Sequence, residues 1–496
     1  MNSARRVIAI AGLALAVLGG VGWAQDEEFA RRQYESGLAF LRDQKFAEAL
    51  KDFQSVVDAY PNSRVASAAL LQIATYQLDT AGDVAAAQVA IDTIQKKYAT
   101  SESAPMALVM AGRVVIAKGR TPAEVETALA SYERVSRLFP GADAVPAAVY
   151  QAAEALRLVH REDEAALRYR QVSTDYPQSA WAPRALLGEA RCLVITGKPL
   201  RAMELLQRVR QRFGATPEAV TAVSWNTILY RLYLRAPSQP PYAYSGRAIA
   251  GTAGKIKDIE MLAVDPHGTV LAATRSAIIP FDPLGKPLPL ISANECRGVT
   301  FDRAGRPVVF HRGGVLMPGG ASVLLAVPKP DGSLRAFDEI PAGVQTSLGD
   351  LLVADKNAKT IVRFAAGGRY LGSYATLLPA RMVIDDTDRV IALDQDDSVA
   401  ILEADGRLRV KIPARGQGYT FDRPLDVSVD AFGHVYVLDR GQVFVFTNQL
   451  QPRLLSSFSV PAKMPGNFRK AKCFGLDGAA RLYIYDDDAE KIQVYQ

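Results

Sequence analysis

The chain has 496 residues, of which 49% are hydrophobic and 22% are charged. This composition is typical of soluble globular proteins that are long enough for two or more domains. The formal net charge is +6. Arg5 and Arg6 lie in an N-terminal segment that resembles a cleavable leader, and without them the net charge is +4. Acidic and basic residues are interspersed without a basic run, so the charge does not favour a nucleic-acid-binding protein.

The first 24 residues resemble a signal peptide. Arg5 and Arg6 precede an apolar stretch, Val7 to Val21, and Gly22 and Ala24 supply small residues at the −3 and −1 positions of a cleavage site. The sequence therefore predicts export with cleavage after Ala24; the alternative is an uncleaved N-terminal anchor. No cysteine follows the apolar stretch, so a bacterial lipid anchor is not supported.

From residue 29 to about residue 234, apolar residues recur at spacings of three and four, which predicts a series of amphipathic helices. An aromatic residue ends each helical pair, usually before proline or glycine, at intervals of 38, 41, 37 and 37 residues: Tyr60, Tyr98, Phe139, Tyr176 and Phe213. A repeat of this length indicates stacked helical pairs. One pair cannot bury its own apolar stripe, so the pairs must form a solenoid.

The first repeat, GLAFLRDQKFAEALKDFQSVVDAYPNS, resembles the tetratricopeptide repeat in the placement of Gly37, Ala49, Phe53 and Pro61. A later stretch, YPQSAWAPRALLGEARCLVITGKPLRAMELLQRV, is similar to periplasmic proteins of this class, namely the β-barrel assembly lipoprotein and the Tol-Pal coordinator. The lipid-bearing cysteine of the former and the N-terminal coiled coil of the latter are absent. The resemblance covers about residues 29–235.

This resemblance implies that the solenoid binds a peptide or protein along its concave face. The alternative is that it serves as a spacer or an assembly platform for the following domain. Together with the leader, the resemblance places the protein in the periplasm or at the outer membrane, with secretion as a further alternative.

The helical pattern breaks at RAPSQPPYAYSG, residues 235–246, where three prolines favour an extended linker. Alternating apolar and polar residues then predict many short strands. A strand–turn–strand unit recurs six times, and its turn residues are separated by 37, 44, 39, 45 and 47 residues: Asp265, Asp302, Thr346, Asp385, Asp430 and Asp477. Such a period indicates the blades of a β-propeller.

The units resemble NHL repeats over about residues 246–496, although the third unit has threonine in place of aspartate. The last unit contains three strands, ending at KIQVY, whereas the segment before the first unit has no partner of its own. We therefore expect residues 247–254 to supply the outer strand of the last blade, which would remove two free sheet edges.

The sequence contains few candidate catalytic or metal-binding residues. The four histidines, His160, His267, His311 and His434, occupy different points of their repeats, so a metal site that three of them share is not expected. Nucleophile-elbow, phosphate-loop and zinc-protease motifs are absent from the sequence. Aromatic residues in GQGYTFDRP could stack on a sugar, but packing is the favoured interpretation.

The aspartates that follow the second strands and the three cysteines are interpreted as structural rather than catalytic residues. One aspartate follows the second strand in four units, which favours turn capping over catalysis: Asp355, Asp394, Asp439 and Asp486. Asp487 and Asp488, which follow Asp486 in the sequence, are expected in a solvated turn. The three cysteines form no disulfide framework. Cys192 is expected to be buried, and a bridge between Cys296 and Cys473 is not expected.

The sequence thus predicts a signal peptide (1–24), an all-α tetratricopeptide-like domain (25–236), a proline-rich linker (237–245) and an all-β six-bladed propeller (246–496). The predicted function is a non-enzymatic scaffold or adaptor that binds protein partners of the cell envelope through the helical solenoid and the propeller, without a catalytic, cofactor or metal site. Two alternatives remain. One is a lyase- or lactonase-type enzyme, or a glycan- or peptidoglycan-binding protein, that uses the propeller channel. The other is an envelope-assembly factor that recognises outer-membrane polypeptides.

Overall fold

The computed structural model describes residues 25–236, 239–250, 255–293, 295–337 and 339–496. The predicted signal peptide and part of the linker lie outside these residues. The described residues up to Trp181 form one compact unit, and Ala182–Gln496 form a second. No helix among the described residues is long and apolar enough to cross a membrane.

Eleven helices precede the first strand in the described part of the chain. The first, α1, spans residues 25–42. The others, α2 to α11, are Phe46–Ala59, Ala66–Tyr76, Val84–Lys97, Ala104–Lys118, Pro122–Leu138, Val145–Leu158, Glu162–Asp175, Ala182–Ile195, Pro199–Arg212 and Pro217–Leu229. A π-helical turn, Gln77–Ala81, follows α3, and a second, Tyr230–Leu234, follows α11.

The five aromatic residues end five helices as predicted. Each is the residue after the second helix of a pair, and its backbone NH still donates to the carbonyl four residues earlier. The next turn is closed in the same way in every repeat, as in the bond from Ser63 N to Tyr60 O. The side chains also join repeats, because the hydroxyl of Tyr98 donates to the carbonyl of Pro61 at 2.6 Å.

Small residues let the two helices of a pair approach closely. A Cβ atom added to Gly37 would lie 2.6 Å from the ring of Phe53, and one added to Gly112 would lie 2.4 Å from the ring of Tyr132. Both rings are buried. Gly37 and Phe53 therefore have the packing role that their resemblance to the tetratricopeptide repeat implies.

The second half of the chain begins with strand β1, Tyr244–Ile249. Strands β2 to β15 are Met261–Val264, Val270–Ala273, Ala277–Phe281, Ile291–Ser292, Cys296–Phe301, Pro307–His311, Gly314–Leu316, Ser322–Leu324, Ala326–Pro328, Leu334–Ala336, Gly343–Gln345, Leu351–Asp355, Thr360–Phe364 and Tyr370–Ala375. Strands β16 to β28 are Arg381–Ile384, Val390–Leu393, Val399–Leu402, Leu408–Ile412, Arg415–Gly416, Tyr419–Thr420, Pro424–Val429, Val435–Asp439, Gln442–Phe446, Leu454–Ser459, Ala471–Leu476, Leu482–Asp486 and Lys491–Tyr495.

Six four-stranded antiparallel sheets form the predicted propeller. Five are built in chain order: β2 to β5, β6 to β9, β12 to β15, β16 to β19 and β22 to β25. Two small hairpins, β10–β11 and β20–β21, lie between blades. These hairpins lengthen the second and fourth repeats, which explains two of the longer turn spacings in the sequence.

The sixth sheet closes the ring. Its order is β26, β27, β28 and β1, so the final strand of the chain lies between its own hairpin partner and a strand that precedes the first blade. Tyr244 pairs with Tyr495, and Ile249 pairs with Ile492. The predicted closure is confirmed, but the strand begins at Tyr244 rather than at residue 247. The predicted last four residues, 251–254, lie outside the described part of the chain.

The change from helix to strand does not coincide with the division into compact units. Helices α9, α10 and α11 share one apolar core with the fifth and sixth blades. Trp225 of α11 packs edge-on against Phe432, with ring centroids 5.0 Å apart. This shared core explains why the last helices fold with the propeller rather than with the earlier repeats.

Candidate functional site

The turn aspartates have the capping role that the repeat pattern suggests. In each case one carboxylate oxygen accepts backbone NH groups two and four residues ahead; Asp265, for example, accepts from His267 N and Thr269 N at 2.9 and 2.7 Å. Four other blades repeat this arrangement. These carboxylates shape turns, so they are not available as a shared ligand set.

The third blade replaces this aspartate with Thr346. Its hydroxyl accepts only the NH of Asp350, at 3.1 Å. The neighbouring blade compensates, because Asp388 accepts the backbone NH and the hydroxyl of Ser347 at 2.8 and 2.6 Å. The degenerate repeat is therefore held in place by its neighbour.

Three of the four aspartates after the second strands accept backbone NH groups that fix a turn or loop, as Asp355 does from Asn357 and Ala358. The fourth, Asp394, accepts from the adjacent NH of Gln395 and forms an ion pair with Lys411. Asp439 accepts the backbone NH groups of Asp422 and Arg423, and the backbone NH of Lys470 donates to Asp486. Each carboxylate thus ties the end of the second strand to the loop that leads into the first strand of the same blade. Asp487 and Asp488, by contrast, form ion pairs with lysines at the surface.

The innermost strands of the six blades line a central channel. Each of them contacts the inner strands of both neighbouring blades, and β26 contacts β2, so the ring is complete. The channel contains a cavity of about 440 Å³, which is lined largely by small and apolar residues. A second cavity of about 300 Å³ shares Arg297 and Arg381 with the first.

Arg381 extends across this channel. Its guanidinium donates to the carbonyl of Glu260, in the first blade, at 3.1 Å, although Arg381 itself belongs to the fourth. Its Nε atom is buried and has no hydrogen-bond partner among the described residues. Arg297 lies nearby and contacts Glu339 at 3.8 Å. The channel therefore contains hydrogen-bond donors that could hold an anionic or carbonyl group.

Asp426 lies in the next blade at the position equivalent to Arg381, four residues before the turn aspartate. It accepts the backbone NH groups of Val427 and Phe474 at 2.9 and 3.0 Å. Burial raises its pKa to about 6, and the charge of Arg381 opposes this rise. The other four blades have Met261, Gly298, Ala342 and Cys473 at this position, so an alignment of the blades could have revealed both charged residues.

The raised pKa of Asp426 predicts a pH effect on stability. A carboxyl group whose pKa is higher in the folded than in the unfolded state makes the protein more stable as the pH falls through the folded value. Between pH 7 and pH 4 we expect this group to add about 2 kcal/mol to the free energy of unfolding. Asp426→Asn should remove that part of the pH dependence in denaturant titrations. Equal pH dependence of the variant and the parent would contradict the assignment.

Among the described residues, the channel has neither a metal-ligand cluster nor a cysteine with a lowered pKa. No group of three histidine, cysteine, aspartate or glutamate side chains there could hold a metal ion. Burial, and the nearby charge of Asp426, raise the pKa of the Cys473 thiol, which disfavours the reactive thiolate. All three cysteines are buried, and the structure forms no disulfide bridge between Cys296 and Cys473.

The structure does not bring the four histidines together. His160 lies in the turn between α7 and α8, and His267 is exposed in the first blade. His311 bonds to the carbonyl of Arg312. His434 is the buried histidine of the four, with 2% of its surface exposed.

His434 joins the propeller to the helix end. Its Nδ1 lies 2.8 Å from a carboxylate oxygen of Asp430, and its Nε2 lies 2.7 Å from the hydroxyl of Tyr233. Tyr436 also donates to Asp430, and its hydroxyl lies 3.0 Å from that of Tyr242. This buried network satisfies polar groups of both elements and acts as a structural clamp. Its partners are about 200 residues apart in sequence, so spacing could not reveal it.

Residues 26–187 match the family model YfiO, described as an outer membrane lipoprotein. No curated protein is significantly similar to the chain. Solved structures that match part of the chain include a streptogramin B lyase, with 12% identity over 51% of this chain and 97% of that one and a TM-score of 0.37.

Two further structures are a gluconolactonase from Xanthomonas campestris (16% identity, 49% and 86% coverage of the two chains, TM-score 0.35) and a thermophilic tetratricopeptide protein from Thermus thermophilus (16%, 40% and 98%, 0.33). The chain thus carries a tetratricopeptide-like helical region, similar to the YfiO family over residues 26–187, followed by a six-bladed β-propeller.

Proposed function

We propose that the protein is a non-enzymatic scaffold of the cell envelope that binds protein partners through its helical repeats. The observation that carries this proposal is the match of residues 26–187 to an outer membrane lipoprotein family. An assembly role in that compartment needs a surface for polypeptides rather than a reactive site. The predicted leader is consistent with this location.

The helical repeats have exposed apolar side chains that a partner could cover. Phe29 of α1 is 47% exposed, Val89 of α4 is 67% exposed, and Leu167 of α8 is 61% exposed. The repeats are also held together by ion pairs across 35 residues, such as Arg161 with Glu126 and Arg168 with Glu133. A stiff array of this kind can present an extended surface without large rearrangement.

Site-specific photo-crosslinking in the native host tests this proposal with the full chain. A photoreactive residue is placed at Phe29, Val89 or Leu167, and at the exposed propeller residues Leu408 and Leu450 as controls. We expect the helical positions to crosslink reproducibly to one or a few envelope proteins. Crosslinking no stronger than at the propeller controls, or recovery of the protein in the cytosol, would contradict it.

Separate expression of the two halves is a poor test. A cut near Pro240 would leave Trp225 without Phe432 and Tyr233 without His434, so apolar surface and buried polar groups would be exposed on both fragments. Intact chains with single substitutions avoid this difficulty.

A second candidate function is the binding of a small polar ligand in the propeller channel. It is favoured by Arg381, whose Nε atom is buried without a described partner, and by the buried Asp426. Loss of a measured ligand or activity in Arg381→Ala, with unchanged crosslinking from the helical repeats, would support this second function and separate it from the first.

A further inference from the structure

Most of the net positive charge of the chain comes from its last helices. Residues 198–235, which include α10 and α11, contain seven basic and two acidic side chains, a net charge of +5, whereas the whole chain has a net charge of +6. The remaining 458 residues therefore contribute only +1. Such an asymmetry indicates a surface for an anionic partner.

Three of the four exposed arginines of α10 make no described contact within the fold; the fourth, Arg212, has its guanidinium 5.7 Å from the ring centroid of Phe213. Arg201, Arg208, Arg210 and Arg212 are exposed, and none forms an ion pair with any residue that the structure describes. In α8, one repeat earlier, the positions of Arg201 and Arg212 are occupied by Glu164 and Asp175. The last pair of helices thus replaces acidic residues with basic ones at equivalent positions.

The next helix has an uncovered apolar face. No charged residue occurs between Ala219 and Tyr230. Four exposed side chains of α11 and of the π-helical turn that continues it recur at intervals of three, seven and four residues and therefore lie along one side; their exposed fractions are Val220 70%, Val223 46%, Tyr230 50% and Leu234 50%. The opposite side is buried, with Trp225 and Ile228 in the core shared with the propeller.

Arginines bracket this apolar face. Arg210 and Arg212 end α10, immediately before the short turn into α11, and Arg231 and Arg235 follow at the other end. The guanidinium of Arg231 lies 5.0 Å from the ring centroid of the buried Tyr242, and Arg235 donates to the carbonyl of Pro241, so the arginines of α10 are the ones offered to a partner. A helix with an apolar side, an aromatic residue and flanking basic residues is typical of segments that lie in the interface of a lipid bilayer. A terminal repeat that had to remain solvated would instead present a polar outer face.

We infer that residues 198–235 form a docking surface for a membrane that contains anionic lipids. The unpaired arginines would contact the headgroups, and the apolar face of α11 would enter the boundary between headgroups and acyl chains. This surface is distinct from the protein-binding role proposed for the earlier repeats, so either could be wrong without the other. A lipid surface is favoured over a second copy of the chain because the arginines of two copies would repel one another.

Flotation of the full chain with lipid vesicles tests this inference. One vesicle type contains one part phosphatidylglycerol to two parts phosphatidylcholine, and the other contains phosphatidylcholine alone. We expect binding to the anionic vesicles only. It should weaken between about 0.1 M and about 1 M salt, since the screening length then falls from about 10 Å to about 3 Å.

Two variants test the two parts of the surface. Changing Arg201, Arg208 and Arg210 to glutamine should reduce partitioning to anionic vesicles at least about tenfold. A matched control changes three exposed basic residues of the earlier helices to glutamine, namely Lys97, Arg134 and Arg137. It removes the same charge and should leave binding unchanged.

The apolar face is tested in the same way. Changing Val220, Val223 and Tyr230 to glutamine should reduce binding at least about fivefold, because each side chain loses its favourable transfer into the interface. The matched control changes Val89, Leu138 and Leu167, which are as exposed but lie on other helices.

Several outcomes would overturn the inference. They are no binding to anionic vesicles, or equal losses in a variant and its matched control. A concentration-dependent dimer that dissociates when the apolar face is changed, with no vesicle binding, would assign the surface to a second copy instead. Binding of polyglutamate without binding of vesicles would assign it to an acidic polypeptide.

Discussion

Tyr495→Ala should lower the free energy of unfolding of the Ala182–Gln496 unit by about 3 to 5 kcal/mol. Tyr495 is fully buried in the strand that closes the propeller. Its ring centroid lies 5.8 Å from that of Tyr244, in the partner strand, and 5.4 Å from that of Phe468. Its hydroxyl also donates to the carbonyl of Gly466, so the substitution leaves a cavity and an unpaired acceptor.

Urea titration monitored by tryptophan fluorescence and by circular dichroism measures this loss. Gln496→Ala is the matched control, since Gln496 is exposed and its backbone pairs with Ala243 whatever its side chain. We expect the control to change stability by less than about 0.5 kcal/mol. A loss of the same small size for Tyr495→Ala would show that the ring does not depend on this closure.

Trp225→Ala should destabilise the propeller although Trp225 lies in a helix. The side chain is 7% exposed, and it contacts Phe432 in the fifth blade while the guanidinium of Arg191 lies 4.9 Å from its ring centroid. Removing a buried aromatic side chain costs about 3 to 5 kcal/mol. Because the core is shared, we expect faster amide exchange in β22 and β23 as well as in α11.

Hydrogen exchange followed by mass spectrometry separates the two elements. Val223→Ala, on the exposed side of the same helix, is the control and should leave exchange in both strands unchanged. If Trp225→Ala altered exchange in α11 alone, the helices would be attached to the propeller without contributing to its stability.

The repeat architecture was predictable because it is written in local patterns. The aromatic stops follow from the apolar period of the helices and from the residues that end them, and the turn aspartates follow from the NH groups that a tight turn leaves unpaired. Even the closing strand could be inferred, since a six-bladed ring with a three-stranded last blade needs one more strand. Its start was wrong by three residues, because strand ends depend on pairing partners rather than on composition.

The residues of the channel and of the helix–propeller junction were not predicted. Arg381 and Asp426 were hidden within inner strands whose pattern was otherwise apolar. The sequence shows only that His434 shares no repeat position with the other histidines, whereas in the structure it connects Asp430 with Tyr233. Neither the contacts of the channel residues nor those of His434 follow a fixed spacing in the sequence, because both depend on how distant elements pack.

The sequence by itself therefore determined the two architectures, the number of repeats in each and the aspartates that cap their turns, because each depends on residues within one repeat. Only the tertiary structure decided that α9 to α11 fold with the propeller, that Arg381 crosses the channel, and that the outer side of α11 remains uncovered. These features depend on which faces meet across some 200 residues of chain, and the local apolar period of a helix specifies a buried face without naming its partner.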